Sequence, residues 1–254
     1  RVTATGANVD DDRAGDLVFA FNPHESHFTA NPDALQPVPD GIDPETATLF
    51  PTAETAVNLV LDAAPRVGER VVVFGAGPIG LTTTALLSTF PLESLTVVDP
   101  VAERRDLAAE FGASVTATPA EIRETEWDEP AGADCCIEVS GNPEALDDAI
   151  DAVGYDGRVV VGSWYGTKPA ELCLGGRFHR ERIEMRSSQV STIAPADRGR
   201  WTKNRRMGRA IELVREQGLA RLVTHRVPFT DAPAAYELLT ADDDALAAVF
   251  TYDH

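Results

Sequence analysis

The chain has 254 residues, 43% of them apolar, enough to enclose a sizeable core in one large domain or up to two ordinary ones. Its net charge of −19, from 41 acidic against 22 basic side chains, repels phosphate and makes nucleic acid an unfavourable partner. No apolar run reaches about 18 residues, so no membrane span is expected, and three cysteines without a CxxC or an even framework suit a reducing cytoplasm.

Residues 1 to about 50 read as strand-like and rich in Pro, Asp and Gly, with Asp16–Phe21 the clearest strand. The chain opens on Arg1 in the middle of an apparent strand, so a preceding amino-terminal piece is expected. His24 and His27, in Pro-His-Glu-Ser-His, are the imidazoles of this stretch, and His24 is the candidate for proton relay. A helix is expected over Thr52–Ala63, then a buried strand over Glu69–Phe74, then the turn Gly75-Ala-Gly-Pro-Ile-Gly80 opening a helix from Pro78 to Phe90.

That turn carries the most chemistry. Gly75 allows the tight bend, Gly77 lets a pyrophosphate approach the backbone, and Gly80 lets helix pack on strand. Pro78 sits where a helix needs no N–H, and Ile79 follows it. The helix start then offers free N–H groups and a positive dipole end to a diphosphate. A second strand, Ser94–Asp99, ends in an acid 19 residues after Gly80. A carboxylate there accepts ribose hydroxyls and repels a 2′-phosphate, which favours NAD over NADP.

Further helices are expected over Ala102–Phe111, closed by Gly112, over Pro143–Val153 and over Arg200–Gln217. Strands are expected over Ala133–Ser140, Gly157–Gly162 and Ile183–Gln189. Strands alternating with helices argue for a parallel sheet covered on both faces, an α/β doubly wound fold. The tail reads as a strand at Leu222–Val227, a helix at Asp231–Thr240 capped by Asp231, and a last strand at Ala245–Tyr252.

Cys135 and Cys136 are adjacent in a strand, so they point to opposite faces and pack rather than share a metal. Trp164-Tyr165, after the fifth strand, either walls a pocket or packs. Arginines cluster at Arg177–Arg182 and Arg198–Arg206; solvated helix faces account for them most simply, and the first cluster is the better placed to serve a cofactor.

The Gly-x-Gly-Pro-Ile-Gly-Leu turn, Val-Val-Asp99 followed by Arg104, Glu-Val-Ser-Gly141 and Gly-Arg-Val-Val-Val-Gly162 occur in this order along the chain. Together they resemble the medium-chain dehydrogenase/reductase superfamily, the zinc-type alcohol dehydrogenase group. The resemblance implies a Rossmann domain joined to a GroES-like β domain, of which roughly the first hundred residues are not in this chain. It also implies three segments: 1–52 as a remnant of the catalytic domain, 53–220 as the NAD-binding domain and 221–254 as a tail returning to the catalytic domain. Further implied are hydride transfer between an alcohol or carbonyl and nicotinamide, and pairing as a homodimer through the sheet edge. Carried over by position, Gly75, Gly77, Pro78, Ile79 and Gly80 hold the pyrophosphate, while Asp99 and Arg104 meet the adenosine ribose. Ser140, Gly141, Gly162 and Ser163 line the crevice, backbone near Gly162 and Ser188 faces the carboxamide, and Thr55 lies near the nicotinamide.

The zinc ligand expected four residues before Thr55 is Pro51, which cannot ligate, and Glu54 is one register away. An arginine expected in the last strand is Ala247. Zinc within this segment is therefore doubtful. A metal-free carbonyl or quinone reductase and a non-catalytic dinucleotide-binding module remain as alternatives. A methyltransferase is the other nucleotide-fold reading, and it leaves Pro78 and the later glycine motifs unexplained. Only Lys168 and Lys203 are lysines, and this acid-rich, lysine-poor surface resembles proteins of salt-loving archaea.

Overall fold

The computed structural model describes residues 1–9, 13–241 and 244–252. In chain order the first elements are β1 (Val18–Phe19), β2 (Gln36–Pro37), α1 (Pro44–Ala47) and α2 (Phe50–Ala63). The alternating unit follows: β3 (Arg70–Phe74), α3 (Pro78–Leu87), β4 (Ser94–Val98), α4 (Ala102–Glu110), β5 (Val115–Ala117) and α5 (Pro119–Arg123). Next come β6 (Ala133–Glu138), α6 (Pro143–Ala152), β7 (Val153–Val161) and β8 (Glu184–Ser187). The chain closes with α7 (Lys203–Glu216), β9 (Val223–Pro228), α8 (Ala232–Ala241) and β10 (Ala247–Thr251).

Six strands form one parallel sheet in the order β5-β4-β3-β6-β7-β8. The order reverses beside β3, and a crevice opens there past the carboxyl ends of the strands. Alternation along β3 shows why the sheet needs helices on both sides. Val71 and Val73 enter a core with α2, α3 and α7, while Val72 and Phe74 enter a second core with α5 and α6. Cys135 and Cys136 divide the same way, and burial pushes the Cys135 thiol up to about 12 and the Cys136 thiol well above its ordinary value.

Helix α3 ends at Leu87 rather than Phe90, and it carries three buried threonines. Each hydroxyl donates back one turn, Thr82 to Pro78 O, Thr83 to Ile79 O and Thr84 to Gly80 O, at 2.7–2.8 Å, so none is left unpaired in the core. β5 and α5 were not expected from the sequence. β5 has three residues, too short for a periodicity, but Thr118 and Glu121 form a reciprocal capping box at the start of α5, which is a readable signal. Helix α7 begins at Lys203, where Thr202 accepts from Arg205 N at 3.1 Å.

The ends of the chain meet. β9 and β10 pair in parallel, Arg226 bonds Glu45, and the His24 ring lies edge-on 4.8 Å from Phe250. Phe19 packs on Phe50 at 5.5 Å, which seats the first segment on α2.

Candidate cofactor site

The glycine turn lies at the crevice, between β3 and α3. Gly75 has φ +103°, and a Cβ on it would meet the Ser140 backbone at 2.7 Å. The turn and the β6 loop therefore touch only because no side chain stands between them. A Cβ on Gly80 would lie 1.8 Å from Gly75 O, so the helix packs directly on the turn. A Cβ on Gly77 would meet nothing within 4 Å, which leaves open space over the start of α3. Gly77 is the N-cap and no side chain caps this end, so the first-turn N–H groups face that space. This cradle fits a diphosphate.

Asp99, 4% exposed, faces the turn. Its carboxylate accepts from Ala76 N at 2.7 Å and from Val101 N at 2.9 Å. Each oxygen keeps a lone pair for a ribose hydroxyl, but the acid also latches the glycine turn, a role the sequence reading did not include. The expected neighbour Arg104 is turned elsewhere, its Nη2 donating to Ala245 O at 3.3 Å. Arg105 instead holds the backbone here, with Nη1 on Asp99 O and Pro100 O at 2.8 and 2.9 Å. Helix periodicity swings the two side chains about 100° apart.

Across the crevice, Gly162 N and Ser163 N both donate to Glu138 O, at 2.8 and 3.1 Å. Those two N–H groups are therefore used within the protein. Ser163 Oγ accepts from Gly141 N at 2.8 Å, tying the β6 and β7 loops together. Glu138, fully buried, accepts from Ser140 N and Oγ and from the Tyr165 hydroxyl. Burial, then the adjacent carboxylate, drives the Tyr165 phenol far above its ordinary range. Tyr165 thus anchors the β7 loop, while Trp164 beside it is 92% exposed. Glu138 stands inside the Glu-Val-Ser-Gly motif, so its position was legible and its role was not.

Helix α2 packs on the carboxyl end of β7, where a Cβ on Gly162 would meet Leu59 at 2.6 Å. Thr55 Oγ1 donates to Pro51 O at 2.9 Å, and Pro51 offers no ligand atom to a metal beyond that carbonyl. Glu54 is bound to buried Arg206 through Nε and Nη2 at 3.1 and 2.9 Å, which removes it as a metal candidate. Among the described residues no three His, Cys, Asp or Glu side chains gather into a metal cradle. The donor set of the described residues therefore does not fit a zinc ion.

The arginine clusters depart from expectation at two points, while Arg198, Arg200 and Arg205 stay exposed as expected. Arg177 donates to Val153 O and Arg182 bonds Asp156, so the first cluster sits at the amino end of β7, away from the crevice. Arg206, from the second, is 1% exposed rather than solvated. His24 and His27 also part, lining different cavities. His24 shares a cavity of about 360 Å³ with Leu49, Thr52, Tyr236 and Phe250.

A parallel sheet in this order, with an uncapped glycine turn facing a strand-end acid, defines a dinucleotide-binding Rossmann domain. Residues 78–207 match the family model described as zinc-binding dehydrogenase, and the chain belongs to that family. It is 28% identical over 242 residues to the D-guloside 3-dehydrogenase of Escherichia coli K12, covering 91% of this chain and 69% of that protein. It is 30% identical over 230 residues to the 2-dehydro-3-deoxy-L-galactonate 5-dehydrogenase of Pseudoalteromonas atlantica, covering 89% and 63%. In fold it resembles an alcohol dehydrogenase of Escherichia coli CFT073 complexed with NADH, with TM-score 0.70 and 20% identity over 87% of this chain and 64% of that one. The chain thus spans about two thirds of the length of these relatives.

Proposed function

We propose that this chain is the cofactor-binding portion of an NAD(H)-dependent dehydrogenase that interconverts an alcohol and a carbonyl. One observation carries the reading: the uncapped start of α3, with open space over Gly77, lies beside the Asp99 carboxylate, which is bonded to Ala76 N of the same turn. Gly75, Gly77, Pro78, Ile79 and Gly80 would cradle the diphosphate through backbone N–H groups. Asp99 would accept the ribose hydroxyls on its remaining lone pairs and stand against a 2′-phosphate. Ser140, Gly141, Gly162, Ser163 and Thr55 would border the nicotinamide half. The bound nicotinamide would supply hydride chemistry.

The named relatives act on a guloside and a deoxygalactonate, which supports a polyhydroxylated substrate. His24, on the cavity beside α2, is the candidate proton relay. An acid-rich surface supports work in concentrated salt inside a cell, and the exposed β8 edge supports pairing of two copies.

The test is titration with NADH and NADPH in molar KCl, followed by cofactor fluorescence, with Asp99→Ala alongside. Saturable binding that prefers NADH, with the preference lost in Asp99→Ala, is expected. The ratio of the two affinities is the readout, because loosening of the turn lowers both alike. Binding of neither cofactor by the folded wild-type chain would sink the reading.

A further inference from the structure

On the cofactor reading above, we propose that buried Arg206 is a positioning residue that fixes the Ser188–Thr192 segment against the nicotinamide end of the dinucleotide. Glu54, Asn58 and Asp62 recur every four residues and so share one face of α2. Arg206 reaches that face from α7, and all five of its N–H donors are used. Nε and Nη2 donate to Glu54 Oε1, Nη1 donates to Asn58 Oδ1 and to Thr192 O at 3.0 Å, and Nη2 also donates to Val190 O. The Asn58 amide then donates to Asp62 Oδ2 and to Ser188 Oγ, both at 2.9 Å, and the Ser188 hydroxyl donates to Asp62 Oδ2 at 2.6 Å. The amide can sit only one way round, since reversing it would set NH2 against the guanidinium.

The network converges on a segment without regular structure. Two of its carbonyls, Val190 and Thr192, end on Arg206, and Ser191 N donates to Gln189 Oε1 at 2.8 Å. The peptide between Val190 and Ser191 is therefore held at both its oxygen and its nitrogen. Ser188 N donates to Val161 O at 2.8 Å, which sets the segment level with Gly162 on the crevice rim. Stability alone does not explain such a network. A buried arginine with two carboxylates costs desolvation that well-packed apolar side chains would avoid. What apolar residues could not do is hold three backbone and hydroxyl groups of a loop in one arrangement. Lysine could not do it either, with three donors on a point charge in place of a planar fork of five.

The experiment compares NADH with ADP-ribose, which lacks the nicotinamide, by calorimetric titration of the whole chain in molar KCl. Wild type, Ser188→Ala and Arg206→Lys are measured. Wild type is expected to bind NADH more tightly than ADP-ribose. Ser188→Ala, which deletes a single hydroxyl, is expected to weaken NADH about fivefold, and Arg206→Lys at least about tenfold, with ADP-ribose held within about twofold in both. A merely structural role would lower both affinities together, so the ratio separates the two. Should Arg206→Lys not fold, Ser188→Ala carries the comparison. Equal losses for both ligands, no loss for either, or a wild type that binds NADH no tighter than ADP-ribose would overturn the positioning role while leaving the cofactor site standing. A wild type that binds neither overturns the cofactor reading itself, and this proposal with it.

Discussion

Gly80→Ala separates two opposed effects at one atom. Alanine in a helix interior is favoured over glycine by about 1 kcal/mol, so propensity alone predicts a more stable protein. The structure predicts the reverse. The new methyl would stand 1.8 Å from Gly75 O, where an ordinary contact begins at 3.4 Å, so the turn must yield by about 1.6 Å. It has little room to do so. Gly75 N is bonded to Val98 O at 2.8 Å, Ala76 N to Asp99 at 2.7 Å, and the Ser140 backbone lies directly behind Gly75. Overpacking costs about 1–3 kcal/mol and a broken turn hydrogen bond about 1 more, which outweighs the propensity gain. A net loss of about 2 kcal/mol lowers Tm by about 4–8 °C in a protein of this size. Because the displaced turn is the diphosphate cradle, NADH affinity should also fall at least about tenfold. Gly77→Ala is the control. Its Cβ meets nothing within 4 Å and its φ is −74°, so stability should stay within about 0.5 kcal/mol while NADH binding weakens against the added methyl. Thermal melting and NADH fluorescence in the same molar-salt buffer measure both. Gly80→Ala melting at or above wild type would refute the packing argument.

Tyr165→Phe should cost about 2 kcal/mol, because it leaves the buried Glu138 carboxylate one donor short. In ultraviolet titration of the folded wild type, one tyrosinate should appear far later than the ordinary pKa near 10, and this late phase should be missing from the variant. A thiol reagent at neutral pH should modify exposed Cys173 at once, and Cys135 and Cys136 only on unfolding; labelling of either in the native chain would contradict the placement of the strand. Asp43 caps α1 through Glu45 N and Thr46 N, both at 3.0 Å, and the Thr46 hydroxyl and amide hold its carboxyl below the usual range. A lowered folded pKa means that its contribution is complete above the unfolded value near 3.9 and fades as pH falls through the folded one. Asp43→Ala should therefore cost about 1 kcal/mol at pH 7, with the difference from wild type closing in strong acid; a gap that persists there would argue against the cap.

What the chain declares locally is its alternation of strand and helix and its glycine turn. Val71 to Phe74 is apolar throughout because both faces of the strand are buried, and Pro78 marks the start of α3 because a helix start needs no N–H there. Gly75, Gly77, Gly80 and Asp99 could be picked out together because their spacing is set by one strand, one turn and one helix in succession. The family and the parallel sheet follow from that local order. Long-range partners do not. Nothing near Glu54 in the sequence announces Arg206, 152 residues away, and nothing near Ser188 announces Asp62, 126 residues away. An arginine on an amphipathic helix and a carboxylate beside Pro51 each read more simply as a solvated face or a displaced ligand. Arg177–Arg182 looked well placed because it precedes β8 in sequence, yet the segment lies at the amino end of β7 because a parallel strand must start at the edge opposite the crevice. Side-chain partnership across the fold depends on which surfaces the sheet and helices bring within 3 Å of one another, and only the packed structure decides that.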